Sequence, residues 1–142
     1  MNEYPMAVGP LSSGSSVHVH PYDDLLDRVA RPARYVGGEV RLRRPAAKAP
    51  DALHVVLTYP DAYEVGMSHQ GLHILHALLD ASPIARADRL FSPWTDMEQH
   101  IRAAALPLVT LDEQVPAGRA DVWAMTLQYE LVYTNVLALL DL

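Results

Sequence analysis

LHVVLTYPDAYEVGMSHQG, Leu53 to Gly71, opens with a nearly continuous apolar, β-branched run, passes through an acidic and aromatic turn, and arrives at a glycine-bearing segment. The run has the texture of a strand buried on both faces of a parallel sheet. A helical pattern then extends from Ser68 to Leu79, with Leu72, Leu75 and Leu79 along one face and Ile74 and Leu78 widening it. DASP, Asp80 to Pro83, ends it. Strand, loop and helix in this order make one β-loop-α unit.

The same alternation continues downstream. Ala87 to Phe91 reads as a second strand. Thr95 offers a cap oxygen, Glu98 completes a T-x-x-E capping box, and Met97, Ile101 and Ala104 or Ala105 give the following helix its buried side. PLVTL, Pro107 to Leu111, is either a minor edge strand or a link. ADVWAMTLQ, Ala120 to Gln128, is the next core strand, and the segment after it is a helix with Val132, Val136 and Leu139 on one stripe. Strands separated by helices imply right-handed crossovers and a parallel sheet clad on both faces, so the expected class is α/β, Rossmann-like or flavodoxin-like, with flanking helices. Three main strands are fewer than the five usual for that architecture. The fold therefore reads as incomplete at its C-terminal end, with a sheet edge that another segment or another chain covers.

Upstream, residues 1–20 are rich in Gly, Ser and Pro and read as a flexible tail. His18 and His20 flank Val19 with no third ligand nearby, which favours a solvated tail over a metal site. Residues 21–50 form an arm, helical over YDDLLDRVA with Leu25, Leu26 and Val29 inward, then irregular after Pro32, with Gly37 and Gly38 permitting unusual dihedrals. Residues 51–142 are the α/β domain.

Eleven basic against seventeen acidic residues give a formal charge of -6, which repels phosphate backbones and anionic lipid. RLRR, Arg41 to Arg44, is the one dense basic run and suits a solvated segment or a protein contact. Neither nucleic acid nor membrane is an expected partner. The absence of cysteine excludes disulfides, thiol nucleophiles, cysteine-held zinc and a self-contained iron–sulfur cluster from these residues. No apolar window has membrane-spanning length and no secretory signal precedes the domain, so the expected compartment is the cytoplasm.

In an open parallel sheet a ligand sits beyond the carboxyl ends of the strands, where strand order reverses. Two segments arrive there, YPDAYEVGMSHQG and TLQYE. Gly66 and Gly71 allow close backbone approach, and Ser68 with the free amides of a helix start suits an anion. These glycines do not make a dinucleotide fingerprint, and no Walker motif occurs. Asp61 and Glu64, three apart, act either as an acid–base pair or, more simply, as carboxylates at a helix start. His69, His73 and His76 share one helical side without an H-E-x-x-H motif; His69, nearest the loop, is the candidate ligand contact or proton donor. Thr126 at the strand end suits a ligand edge or its own backbone, while Gln128, Tyr129 and Tyr133 suit either a planar ligand or an interface. Trp94 reads as a core or interface anchor.

Taken together, RYVGGEV, LTYPDAYEVGMSHQGLHIL, FSPWTDMEQHI and DVWAMTLQYELVYTNVLALLDL resemble the N-terminal, cobalamin (B12)-binding-like region of bacterial B12-binding domain-containing radical S-adenosylmethionine (SAM) proteins, over about Arg34 to Leu142. Cobalamin domains carry D-x-H-x-x-G after the first strand, whose histidine coordinates cobalt. Here Asp61, Tyr63 and Gly66 give D-x-Y-x-x-G. A neutral phenol is a poor replacement for imidazole, so the resemblance implies base-off cobalamin without histidine ligation. It also implies that Asp61, Tyr63, Gly66, Ser68, His69, Thr126, Gln128 and Tyr129 face the cofactor, with Thr126 where a Ser or Thr holds the displaced nucleotide tail. The family's [4Fe–4S] cluster and its S-adenosylmethionine belong to a radical domain held by C-x-x-x-C-x-x-C, which these residues lack. The expectation is an accessory, truncated or separately encoded region with no catalytic residues of its own, partnered by a radical SAM domain or by itself. A non-catalytic interaction domain that keeps the fold without the cofactor is the alternative.

Overall fold

The structure, a computed structural model, describes residues 19–39 and 47–142. His18, most of the N-terminal tail and the RLRR run lie outside the described residues. Three strands, β1 Leu53–Tyr59, β2 Ala85–Phe91 and β3 Val122–Met125, form a parallel sheet in the order β2-β1-β3. The helices are α1 Asp23–Leu26, α2 Tyr63–Met67, α3 Gln70–Asp80, α4 Thr95–Ala104 and α5 Val132–Asp141. This is a mixed α/β fold, a small parallel sheet flanked by helices, consistent with a Rossmann-like or flavodoxin-like arrangement.

β1 is central, and six of its seven residues are buried because helices cover both of its faces. Strand alternation divides the core in two. Val55, Leu57 and Tyr59 pack with Ala85, Phe91 and Leu72 of α3. Val56 and Leu90 pack on the opposite face with Met97 and Ile101 of α4, Leu139 of α5, and Tyr22, Leu25 and Val29 from the arm. The chain thus crosses one face from β1 to β2 and the other from β2 to β3. Strand order reverses between β1 and β3, which places the topological switch point at their carboxyl ends.

Several local expectations are corrected. The helix expected from Ser68 is α3, beginning at Gln70 where the His69 imidazole Nδ1 accepts the Leu72 amide and caps it, and the loop before it forms the short helix α2. The inward residues of α3 are Leu72, His76 and Asp80, whereas Ile74, Leu75 and Leu78 are about half exposed. Polar residues win those inward positions because a buried charge network beyond β2 meets them. Thr95 lies in the first turn of α4 rather than capping it; the N-cap is Trp94, with no side-chain cap bond, and Glu98 instead takes Arg102 at 3.0 Å. Trp94 is exposed, with the Arg34 guanidinium 4.8 Å from its ring centroid. β2 starts two residues earlier than the sequence suggests. PLVTL contributes an isolated antiparallel bridge, Val109 to Pro116, and a Leu111 amide donated to Arg89 O. His20 is half-buried: Nδ1 accepts the Tyr22 amide, so Nε2 carries the proton it donates to Tyr35 O at 2.9 Å.

Candidate functional site at the switch point

The loops after β1 and β3 meet directly. Thr58 is fully buried, and its carbonyl accepts both the Thr126 amide at 3.1 Å and the Thr126 hydroxyl at 3.3 Å. The Thr58 hydroxyl accepts the Trp123 indole N–H. Two residues further, Asn135 of α5 donates Nδ2 to Pro60 O at 2.8 Å. Above these contacts the Tyr129 hydroxyl donates to Asp61 Oδ2 at 2.5 Å, while Asp61 Oδ1 takes the Ala62 amide. The hydrogen bond to Asp61, followed by desolvation and the Asp61 charge, raises the Tyr129 phenol above its ordinary value. Asp61, Thr126 and Tyr129 are therefore gathered at the switch point. Gln128 is exposed beside them.

Tyr63, Gly66, Ser68 and His69 are placed elsewhere. The Tyr63 ring packs edge-on against Phe91, centroids 5.5 Å apart, on the β2 side of the crevice. Its hydroxyl donates to Glu39 Oε1 at 2.7 Å. Burial, reinforced by that carboxylate, pushes the phenol up to about 12, so Tyr63 is a neutral hydrogen-bond donor at ordinary pH. Gly66 lies so close to Phe91 that an added Cβ would stand 2.2 Å from the ring, which accounts for this glycine by packing. The Ser68 hydroxyl donates to Val65 O, and the His69 ring leans on Tyr59 with centroids 5.0 Å apart. His73 reaches Met67 O, and His76 lies between Asp80 and Asp112, so the three helix histidines each have a separate local role. Among the described residues no group of three or more His, Asp or Glu side chains is arranged to hold a metal ion.

Glu39, which sequence reasoning missed, ties the arm to this region. Arg89, buried in β2, donates Nη2 to both Glu39 and Asp112, and its Nε also reaches Asp112 at 3.0 Å. His76 Nε2 lies 3.3 Å from the same Asp112 carboxylate. Beside this network the fully buried Asp88 accepts the Arg89, Asp112 and Glu113 amides and faces His54 at 3.2 Å. The detectable signal was Asp88-Arg89 inside the strand expected over Ala87 to Phe91, since adjacent interior charges require buried partners on opposite faces. Asn135 carried no comparable signal. Gly37, at φ +67°, brings the arm under Leu111 O, 2.4 Å from where a Cβ would stand, so a side chain is excluded there.

The network has a pH signature. Burial alone would raise Asp112, but hydrogen bonds and charge from His76 and Arg89 hold it well below the usual carboxylate range. Glu64, bonded first by Arg34 and also by Arg31, falls to about 2, although its exposure makes its share of stability small. A depressed folded value supplies stability above the unfolded value, near 4, that is lost as pH falls toward the folded one. Asp88, raised by burial, works in the opposite direction. We expect the urea midpoint to fall between about pH 5 and pH 2, and Asp112→Asn to flatten that slope while lowering stability at pH 7. An unchanged slope in the variant would remove Asp112 as its source.

A cavity of about 30 Å³ lies between arm and sheet, lined in part by Tyr22, Arg34, Tyr35, Tyr63, Phe91 and Ser92. Its size suits ordered water rather than a cofactor. The Ser92 hydroxyl, buried without a hydrogen-bond partner, lines it. A corrinoid lower ligand is not supplied by Tyr63, whose hydroxyl is committed to Glu39. Asp61, Thr126, Gln128 and Tyr129 stand at the carboxyl ends of β1 and β3, where Gln128 and Tyr129 are exposed. No helix among the described residues is long and apolar enough to cross a membrane.

Comparison with known proteins gives one family. No curated protein and no solved structure matches the chain. A family model described as "Radical SAM proteins, N-terminal" matches residues 71–142, from the start of α3 through α5, leaving the D-x-Y-x-x-G loop and the arm outside the matched region. Since that match spans half of the chain, and since it covers β2, β3 and the crossover that creates the switch point, the chain belongs to the family of radical SAM protein N-terminal domains.

Proposed function

We propose that the domain is an accessory region of a radical SAM protein that positions a base-off corrinoid at the β1/β3 switch point. The observation that carries this reading is the convergence of Asp61, Thr126 and Tyr129 from two strand ends at the point where strand order reverses. Residues 51–142 form the cofactor-facing domain and residues 21–50 the supporting arm. Thr126 would hold the strand end beside the cofactor, Asp61 and Gln128 would offer polar contacts, and Tyr129 would offer a ring face. Gly66, Ser68 and His69 shape the loop behind it. Tyr63 supports the loop from beneath, and with its hydroxyl bonded to Glu39 it would not serve as a cobalt ligand. When bound, the corrinoid supplies methyl-transfer or related radical chemistry, whereas the protein supplies placement and shielding. The S-adenosylmethionine and its cluster belong to a partner radical SAM domain, and the working compartment is the cytoplasm.

The test is to mix the chain with hydroxocobalamin, pass it through gel filtration and record the spectrum. Retained corrinoid with a base-off spectrum is expected, unchanged in Tyr63→Phe. A base-on spectrum with no retained corrinoid would overturn the cofactor reading. A second reading, an interaction domain without cofactor, is favoured by one observation: Asp61, Tyr63, Ser68, Thr126 and Tyr129 all find hydrogen-bond partners within the protein.

A further inference from the structure

We infer that residues 127–131 are a flap over the β1/β3 crevice, latched by the Tyr129 hydroxyl on Asp61, and that a ligand enters by taking this carboxylate from the phenol. The ligand's identity rests on the reading above; the latch rests on geometry.

The two halves of the latch are held differently. Asp61 is fixed: its amide donates to Tyr59 O at 2.8 Å, its carbonyl accepts the Ser92 amide at 3.0 Å, and its Oδ1 takes the Ala62 amide at 2.7 Å. Oδ2 is left to the phenol. The flap is fixed at its ends. Thr126 is tied to Thr58 O by both its amide and its hydroxyl, and Val132 is fully buried in the core. Between these anchors every residue is exposed, with Leu127 at 57%, Tyr129 at 42% and Leu131 at 75%. The Val132 and Tyr133 amides, donated to Tyr129 O and Glu130 O, and the Thr134 hydroxyl, donated to Leu131 O, all stay within the start of α5. Among the described residues, the Tyr129–Asp61 bond is thus the one hydrogen bond or ion pair that carries this segment across to the β1 side.

A segment with no buried side chain and a single tether opens locally at small cost, since its release exposes little apolar surface and leaves both anchors in place. The tether itself is exposed, so water competes for both of its partners and the bond biases the flap shut without locking it. The same carboxylate sets what can displace the phenol. Asp61 and Glu130 flank the latch and residues 120–142 carry no Lys or Arg, so the entering edge bears neutral N–H or O–H donors rather than an anion. On the reading above, that edge would be the amide rim of a corrin, with the released Tyr129 ring lying against it.

Chymotrypsin reads the flap without any ligand, because Leu127, Tyr129 and Leu131 are cleavage sites that Tyr129→Phe preserves while it deletes the hydroxyl. Cleavage at these sites, followed by mass spectrometry on the full chain, should quicken about fivefold or more in Tyr129→Phe, and stay unchanged in the control Tyr133→Phe. In an Asp61→Ala background the Tyr129→Phe change should add nothing, since both variants remove one bond. Unchanged cleavage in Tyr129→Phe, or full additivity of the two changes, would overturn the latch. Stopped-flow mixing with hydroxocobalamin then tests entry: uptake about fivefold or more faster in Tyr129→Phe is expected, because the closed population no longer limits binding. Equal or slower uptake would overturn the gating role. If neither wild type nor variant retains corrinoid, the cofactor reading falls and the cleavage result alone decides the latch, so the two failures are distinguishable.

Discussion

Arg89→Met is expected to destabilise the fold by about 3–5 kcal/mol, the range for removing one partner of a buried ion pair. Methionine approximates the volume of the side chain and continues its apolar stem, so the loss measures charge rather than a cavity. Without the guanidinium, Asp112 keeps its contact with His76, and Glu39 keeps the Tyr63 hydroxyl. Both carboxylates are then buried with too little compensation: the Asp112 side chain is 4% and the Glu39 side chain 16% exposed. Chemical denaturation at pH 7 measures the loss. Asp112→Leu in the same background should restore part of it, since removing both members of a buried pair costs less than removing one. A loss under about 1 kcal/mol would mean that water already screens the pair.

Gly66→Ala is the second large effect. Gly66 is helical and not at positive φ, so in open surroundings alanine would add about 0.4–1 kcal/mol of stability. The Phe91 ring reverses that sign. A Cβ would stand 2.2 Å and 2.4 Å from two ring carbons and 3.1 Å from Tyr59 Cβ, and Phe91 is buried between β2 and α2. Relief requires α2 to lift, carrying Tyr63 from Phe91 and Glu39. Overpacking of this kind costs about 1–3 kcal/mol. Phe91→Leu should recover part of that cost in the double variant, because it removes the ring atoms that collide. Equal or greater stability for Gly66→Ala would show α2 standing off the sheet, with Gly66 open toward a ligand.

The backbone plan was legible because each strand announced itself by the physics that buries it. Leu53 to Tyr59 is nearly continuously apolar because it is the central strand, covered on both sides. Val132, Val136 and Leu139 share a stripe because α5 has one sheet-facing side. α3 was misread at Ile74, Leu75 and Leu78 because its apolar residues outnumber its buried positions: periodicity cannot distinguish the flank that meets the sheet from one that meets something else. His76 and Asp80 face inward through partners 32 or more residues away, such as Asp112 and Lys48, a tertiary pairing that local spacing does not encode. The same limit applies to the site. The loop motif located the strand end, yet Tyr63 is turned to the β2 side by Glu39, a residue of the arm that lies well outside the motif.

On the proposed reading, a corrinoid would be held at the β1/β3 crevice with no ligand to cobalt from this chain, and the electron paramagnetic resonance spectrum of reduced, cob(II)alamin-loaded protein after removal of free cofactor tests it. A base-off cobalt(II) signal without nitrogen splitting, identical in wild type and Tyr63→Phe, is expected. Triplet nitrogen splitting from a retained benzimidazole or a histidine, or the absence of any protein-bound cobalt signal, would contradict it.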